Sequence, residues 1–115
     1  MKNTLAEDAG QCLLVGFEGT SQVPATLAAA LRAQTVGGAI LFSRNITGDW
    51  QQLAALNAAL DANRPEDGTP VFIAVDQEGG RVRRVKGPGV TEIPPMLDVG
   101  RTGDRELAAQ VGEVI

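Results

Sequence analysis

Histidine and tyrosine are absent from this chain. Without histidine the chain holds no Ser-His-Asp triad, no Cys-His pair and no histidine-ligated metal site. Its own chemistry must use carboxylates, arginines, lysines or backbone. The single cysteine, Cys12, excludes an internal disulfide and fits a reducing compartment. It lies in an apolar run, where a free thiol is expected to be a small buried hydrophobe. Aromatics are scarce, three Phe and one Trp, and the net charge of −4 leaves no basic stripe. That composition argues against nucleic-acid binding. No apolar stretch is long enough to span a bilayer. The N-terminal residues Met1 to Asp8 carry acids where an export signal needs an apolar core, so the expected location is the cytoplasm.

What remains is a chain of 115 residues, 43% apolar, enough for one small folded domain over residues 1–115. Cys12–Phe17 is a first apolar run. Pro24–Gln34 is rich in Ala and Leu, with Leu27 and Leu31 one turn apart, and predicts a helix opened by Pro24. Gly37 and Gly38 end that unit, and Ala39–Phe42 is a second strand. Trp50, Leu53, Leu56 and Leu60 share one face of a second helix, with Trp50 expected in the core and Thr47 or Asp49 as its cap. Asn63–Pro70 is a loop, and Val71–Val75 a third strand, apolar throughout and so expected to be buried. The alternation of strand and helix predicts an α/β fold with parallel crossovers. Glu78–Gly100 is a long loop, and Thr102 to Glu106 open a last helix with Leu107, Val111 and Val114 at helical spacing.

The most informative stretch is Phe72–Arg84, Phe-Ile-Ala-Val-Asp-Gln-Glu-Gly-Gly-Arg-Val-Arg-Arg. A short apolar strand stops at two carboxylates, two glycines and three arginines. Polar groups at the C-terminal end of a parallel strand are where α/β folds place ligands. Three segments carry a family resemblance. Val75-Asp76-Gln77-Glu78-Gly79-Gly80-Arg81-Val82, with Arg84 beyond it, resembles the signature of the glycoside hydrolase family 3 N-terminal domain. Gly37–Asn45 resembles that family's second strand with its Arg-Asn ending, and Val90–Met96 the stretch after the signature. The order and spacing also agree, from about Gln11 to the last residue, and the similarity is greatest to bacterial β-N-acetylglucosaminidases.

The resemblance implies the first three βα units of a TIM (β/α)8 barrel, incomplete at this length. It implies hydrolysis of a terminal β-linked N-acetylglucosamine or glucose unit by a retaining mechanism, with no metal or organic cofactor. It further implies a cytoplasmic role on cell-wall turnover fragments. The family's nucleophile and acid/base residues have no counterparts here, so no catalytic residue is assigned within this chain. The residues it does implicate bind substrate. Asp76 is expected to accept sugar hydroxyls in the −1 subsite, which suits an acceptor-only carboxylate. Arg84 is expected to bind the same substrate through its planar fork of donors. The alternatives are a strand-end Asp76 capping a turn and an Arg84 held in an ion pair with Asp76 or Glu78.

Glu78 and Asp76 look like the two carboxylates of a glycosidase, but such a pair must flank a sugar at about 5–5.5 Å. Glu78 is therefore read as fixing the loop or pairing with an arginine. Arg81 and Arg83 are weaker candidates, and alternation points Arg83 away from Arg84. Gly79 and Gly80 supply backbone freedom, and no phosphate-loop motif surrounds them. Arg44 and Asn45 either shape the pocket floor or form a solvated strand end. Two other functions stay open: an inactive, sugar-binding remnant, and a small anion-binding module using the arginine-rich loop. Uncovered strand edges would favour self-association or a C-terminal complement.

Overall fold

The computed structural model describes residues 4–115. Part of the N-terminal stretch read above for an export signal lies outside them. Two compact units divide the chain, one ending at Val75 and one running from Asp76 to Ile115.

The first unit is α/β. It opens with α1 (Leu5–Gly10), which the sequence reading left unassigned. Thr4 and Glu7 close a reciprocal capping box there: Glu7 N donates to Thr4 Oγ1 at 3.2 Å and Thr4 N to Glu7 Oε2 at 2.5 Å. Then come β1 (Leu14–Val15), α2 (Ala25–Arg32), β2 (Gly38–Leu41), a 3-10 turn at Ser43–Asn45, α3 (Trp50–Asp61) and β3 (Phe72–Val75). Pro24 precedes α2 as its N-cap, and Asp49 caps α3 by accepting from Gln51 N at 3.0 Å. The strands form a parallel sheet in the order β1-β2-β3. Ala39 and Leu41, two apart and so on one face of β2, pack with Phe17, Leu27, Leu31, Leu56 and Leu60. The two helices thus cover one face of the sheet.

The other face is partly exposed among the described residues. The register aligns Leu14, Gly38 and Phe72 in one row, and Phe72 is 59% exposed. The expectation of a buried β3 is therefore corrected: among the described residues β3 is an edge strand paired with β2 alone, and its Phe72 side lies open. Two other burial expectations also fail. Cys12 is exposed, its thiol reaching only the Asp8 carbonyl at 3.5 Å. Trp50 is 47% exposed, because the packed face of α3 begins one turn later, at Leu53.

The second unit replaces the expected long loop with structure. β4 (Gln77–Gly79) and β5 (Val82–Arg83) form an antiparallel pair with a bulge, and α4 (Met96–Thr102) precedes α5 (Arg105–Val114). Asp104 caps α5 by accepting from Glu106 N and Leu107 N. Ile93, Val99 and Val111 form its small core, while Leu107 and Val114, expected to line that face, stay exposed. No helix among the described residues is long and apolar enough to cross a membrane.

Candidate functional site

Asp76 follows β3 directly in sequence and opens the second unit. The hairpin brings it to Arg84. Because Gln77 pairs with Arg83, the next residues out on each arm, Asp76 and Arg84, become neighbours. Arg84 Nη2 lies 4.0 Å from Asp76 Oδ2, with the side chains 27% and 40% exposed. This is a loose pair. Arg84 Nε is buried and has no hydrogen-bond partner among the described residues. A buried donor without a partner costs about 1–3 kcal/mol, so the arginine is not fully satisfied by the fold alone.

Gln77 builds this arrangement. Its Oε1 accepts from Arg84 N at 3.0 Å and Val85 N at 3.1 Å, and its Nε2 donates to Val85 O at 2.9 Å. One carboxamide thus fixes the backbone that carries Arg84. The sequence reading passed over Gln77, although it sits between Asp76 and Glu78. Its signal would have been a long polar side chain on a strand that must bond across a bulge.

Gly79 and Gly80 have φ of 91° and 55°, a region that costs other residues strain. A Cβ on Gly79 would also meet the Pro94 carbonyl oxygen, and one on Gly80 the Pro95 ring. Their role is thus a tight turn packed under the 93–95 segment, where Gly80 N donates to Ile93 O at 2.9 Å. Arg83 turns to a different partner from Arg84. It donates to Gly80 O at 3.1 Å and pairs with Glu92 at 2.6 Å. The hydrogen bond and the charge of Arg83 hold the Glu92 carboxyl below its ordinary range. For Glu78 the arginine-pairing half of the expectation is corrected: it is exposed and forms no ion pair among the described residues, while Arg83 and Arg84 engage Glu92 and Asp76. Arg81 is exposed at the turn.

Arg44 and Asn45 belong to the first unit, in the turn after β2. Asn45 is fully buried, so the solvated strand-end reading fails for it. Its Nδ2 donates to the Phe17 and Gly19 carbonyls. Arg44 lies over the Phe42 ring at 4.7 Å and pairs with Glu18 at 2.9 Å. Among the described residues no three His, Cys, Asp or Glu side chains gather in a metal-binding group.

Comparison with known proteins matches residues 4–115 to the family model described as the glycosyl hydrolase family 3 N terminal domain. The β-hexosaminidase of Bordetella pertussis is 46% identical over 91 residues, covering 74% of this chain and 25% of that protein. The β-hexosaminidase of Nitrosospira multiformis is 39% identical over 109 residues, covering 90% and 30%. Among solved structures, a glycoside hydrolase family 3 β-N-acetylglucosaminidase from Paenibacillus sp. superposes with a TM-score of 0.81 at 35% identity, covering 98% of this chain and 21% of that one. NagZ from Neisseria gonorrhoeae in complex with N-trifluoroacetyl-D-glucosamine gives 0.66 at 32%, covering 85% and 27%. The chain spans about a quarter of the length of the curated relatives it matches.

Proposed function

The chain belongs to the glycosyl hydrolase family 3 N-terminal domain family, and from that membership we propose that it supplies the sugar-binding portion of a retaining β-N-acetylhexosaminidase. Asp76 accepts hydroxyl protons of a terminal N-acetylglucosamine or glucose unit in the −1 subsite, and Arg84 donates to its oxygens. The carrying observation is the loose Asp76–Arg84 pair, 4.0 Å apart with a buried, unpartnered Nε on the arginine. A carboxylate and a guanidinium satisfied by each other would form a shorter, bidentate contact. Here both keep capacity for a ligand, and the Gln77 carboxamide preorganises the arginine before the ligand arrives. The glucosamine derivative held by the Neisseria relative supports the sugar class.

In this reading the residues form the first three βα units of a (β/α)8 barrel, and Leu14 and Phe72 lie on its inner face. The uncovered sheet face is the seat for the polypeptide that supplies the remainder of the barrel, together with the reacting groups. Placement in the cytoplasm, acting on cell-wall turnover fragments, belongs to the same proposal and is supported by the family resemblance and the lone cysteine.

Titration of the 115-residue chain with N-acetylglucosamine, followed by amide chemical shifts, tests the subsite. Shifts are expected at Asp76, Gln77, Arg84 and Val85. Asp76→Ala and Arg84→Ala should each weaken binding about tenfold or more, as expected for loss of a charge-assisted hydrogen bond. Unchanged affinity in Asp76→Ala would refute the assignment.

A further inference from the structure

The loops that follow β1 and β2 are joined by two carboxamides. Asn45, buried at the end of the 3-10 turn, uses both ends of its amide. Nδ2 donates to Phe17 O at 3.0 Å and Gly19 O at 2.8 Å, while Oδ1 accepts from Phe42 N at 2.9 Å. Gln52, on the first turn of α3, does the same from the other side. Its Nε2 donates to Thr20 O and, at 2.9 Å, to Asn45 O. Its Oε1 accepts from Thr47 N at 3.1 Å and Thr47 Oγ1 at 3.2 Å. The backbone of Phe17–Thr20 is thereby tied to that of Phe42–Thr47.

Arg44 is carried on this frame. Its Nε donates to Phe17 O at 3.2 Å and meets Glu18 Oε1 at 2.9 Å, with the guanidinium over the Phe42 ring. No hydrogen bond from its two terminal amino groups is seen among the described residues, and the side chain is about half exposed. A guanidinium anchored by Nε alone presents the rest of its fork to whatever approaches. The loops after parallel strands are where such folds receive ligands.

We propose that Gln52 is a positioning residue for Arg44: by binding Thr20 O, Asn45 O and Thr47 it locks the loops after β1 and β2 into one rim that keeps the two terminal amino groups of Arg44 available to ligand oxygens. The proposal takes only the class of ligand, a carbohydrate, from the sugar-binding reading above, and it concerns the rim of the first unit alone. The lock itself is a property of the first unit. Gln52 touches no ligand, and its effect is transmitted through the Phe17 carbonyl, which Arg44 Nε and Asn45 Nδ2 share.

The test follows the Arg44 Nε–H signal and N-acetylglucosamine binding in the 115-residue chain. Gln52→Ala is expected to speed solvent exchange of Arg44 Nε–H by about tenfold or more, while the Ala39 and Leu41 amides of β2 keep their protection. Gln52→Ala and Arg44→Ala should weaken sugar binding by similar factors, and the double variant no further than either, the non-additivity expected of one functional unit. Unchanged Nε–H exchange, or additive losses in the double variant, overturns the proposal. If Gln52→Ala does not fold, Thr47→Val removes only the exposed hydroxyl bond to Gln52 Oε1. It should accelerate exchange in the same direction by a smaller factor, and no acceleration overturns the lock. If the unaltered chain binds no sugar, the preceding reading falls, and the exchange measurement still decides whether Gln52 controls Arg44.

Discussion

The two units are held together by different means. Residues through Val75 rest on apolar packing: Leu31, Leu56 and Leu60 are essentially fully buried around Ala39 and Leu41. Residues from Asp76 onward have only Ile93, Val99 and Val111 in their core. Their geometry comes instead from polar ties and glycines: Gln77 on the Arg84–Val85 backbone, Arg83 on Glu92, and two positive-φ glycines under the 93–95 segment. A parallel sheet with helices on one face can be specified by size and pattern of side chains. A hairpin with few apolar side chains of its own is shaped instead by directional bonds. The difference between the units is thus a difference between an apolar scaffold and a hairpin held by polar ties, and it can be tested.

The largest effect should come from the scaffold. Leu56→Ala removes a fully buried side chain from the first core and should cost about 2–5 kcal/mol in urea denaturation. Val111→Ala, in the sparse core of the second unit, should cost clearly less, because fewer neighbours surround the space it leaves. Equal losses would mean that packing governs both units, and the contrast would collapse.

The next largest effect should come from the turn. Gly79→Ala places a Cβ at φ of 91° against the Pro94 carbonyl oxygen. Strain of this kind costs roughly 1–3 kcal/mol. The expected result is loss of amide protection at Gly80 and Arg84, with the Ala39 and Leu41 amides of β2 unaffected. Gly68 also has positive φ, but nothing surrounds its would-be Cβ, so Gly68→Ala should be milder. Full protection at Gly80 in Gly79→Ala would show that the glycine is not needed for the turn.

The same contrast explains what could be read from the sequence. In the first unit, period and spacing show much of the fold: the helix face through Leu53, Leu56 and Leu60, a cap at Thr47 or Asp49 and the parallel strands were visible as patterns, while the short α1 was not. The errors there concern burial. Phe72 looks like core because a four-residue apolar run carries no information about whether a covering layer is present. Trp50 looks like core because a helical wheel cannot show where along the axis the packing starts. In the second unit, pattern carries little. An ion pair of Arg84 with Asp76 or with Glu78 could be read from the sequence, but choosing Asp76 required a hairpin register that two glycines permit and do not specify. Gln77 and Gln52 were missed because a glutamine's role depends on which backbone groups lie within reach, and those are set by tertiary structure. The helix α4 was hidden behind Pro94 and Pro95, although proline is common at a helix start.

The smallest effect compares one carboxylate from each unit by the kind of donor that holds it. In the first unit Asp67 is held below its ordinary range chiefly by the Thr69 backbone N–H, with help from the Thr69 and Gln34 side chains, all neutral donors. In the second unit Glu92 is held down chiefly by the hydrogen bond from Arg83 and then by its positive charge, with Lys86 adding to it. Both groups bind a proton less readily when folded. Each therefore contributes stability that is fully present above the ordinary carboxylate range and is lost as pH falls through the lowered folded value. Salt should separate them. Screening weakens an exposed contact with a cation but leaves a hydrogen bond from a neutral amide largely intact. The acid-induced loss that Glu92→Gln abolishes should thus shrink between low and high salt, while the part that Asp67→Asn abolishes should not. Melting the three proteins across the acid range at two ionic strengths checks this. Equal salt sensitivity of the two contributions would remove the electrostatic distinction between Asp67 and Glu92.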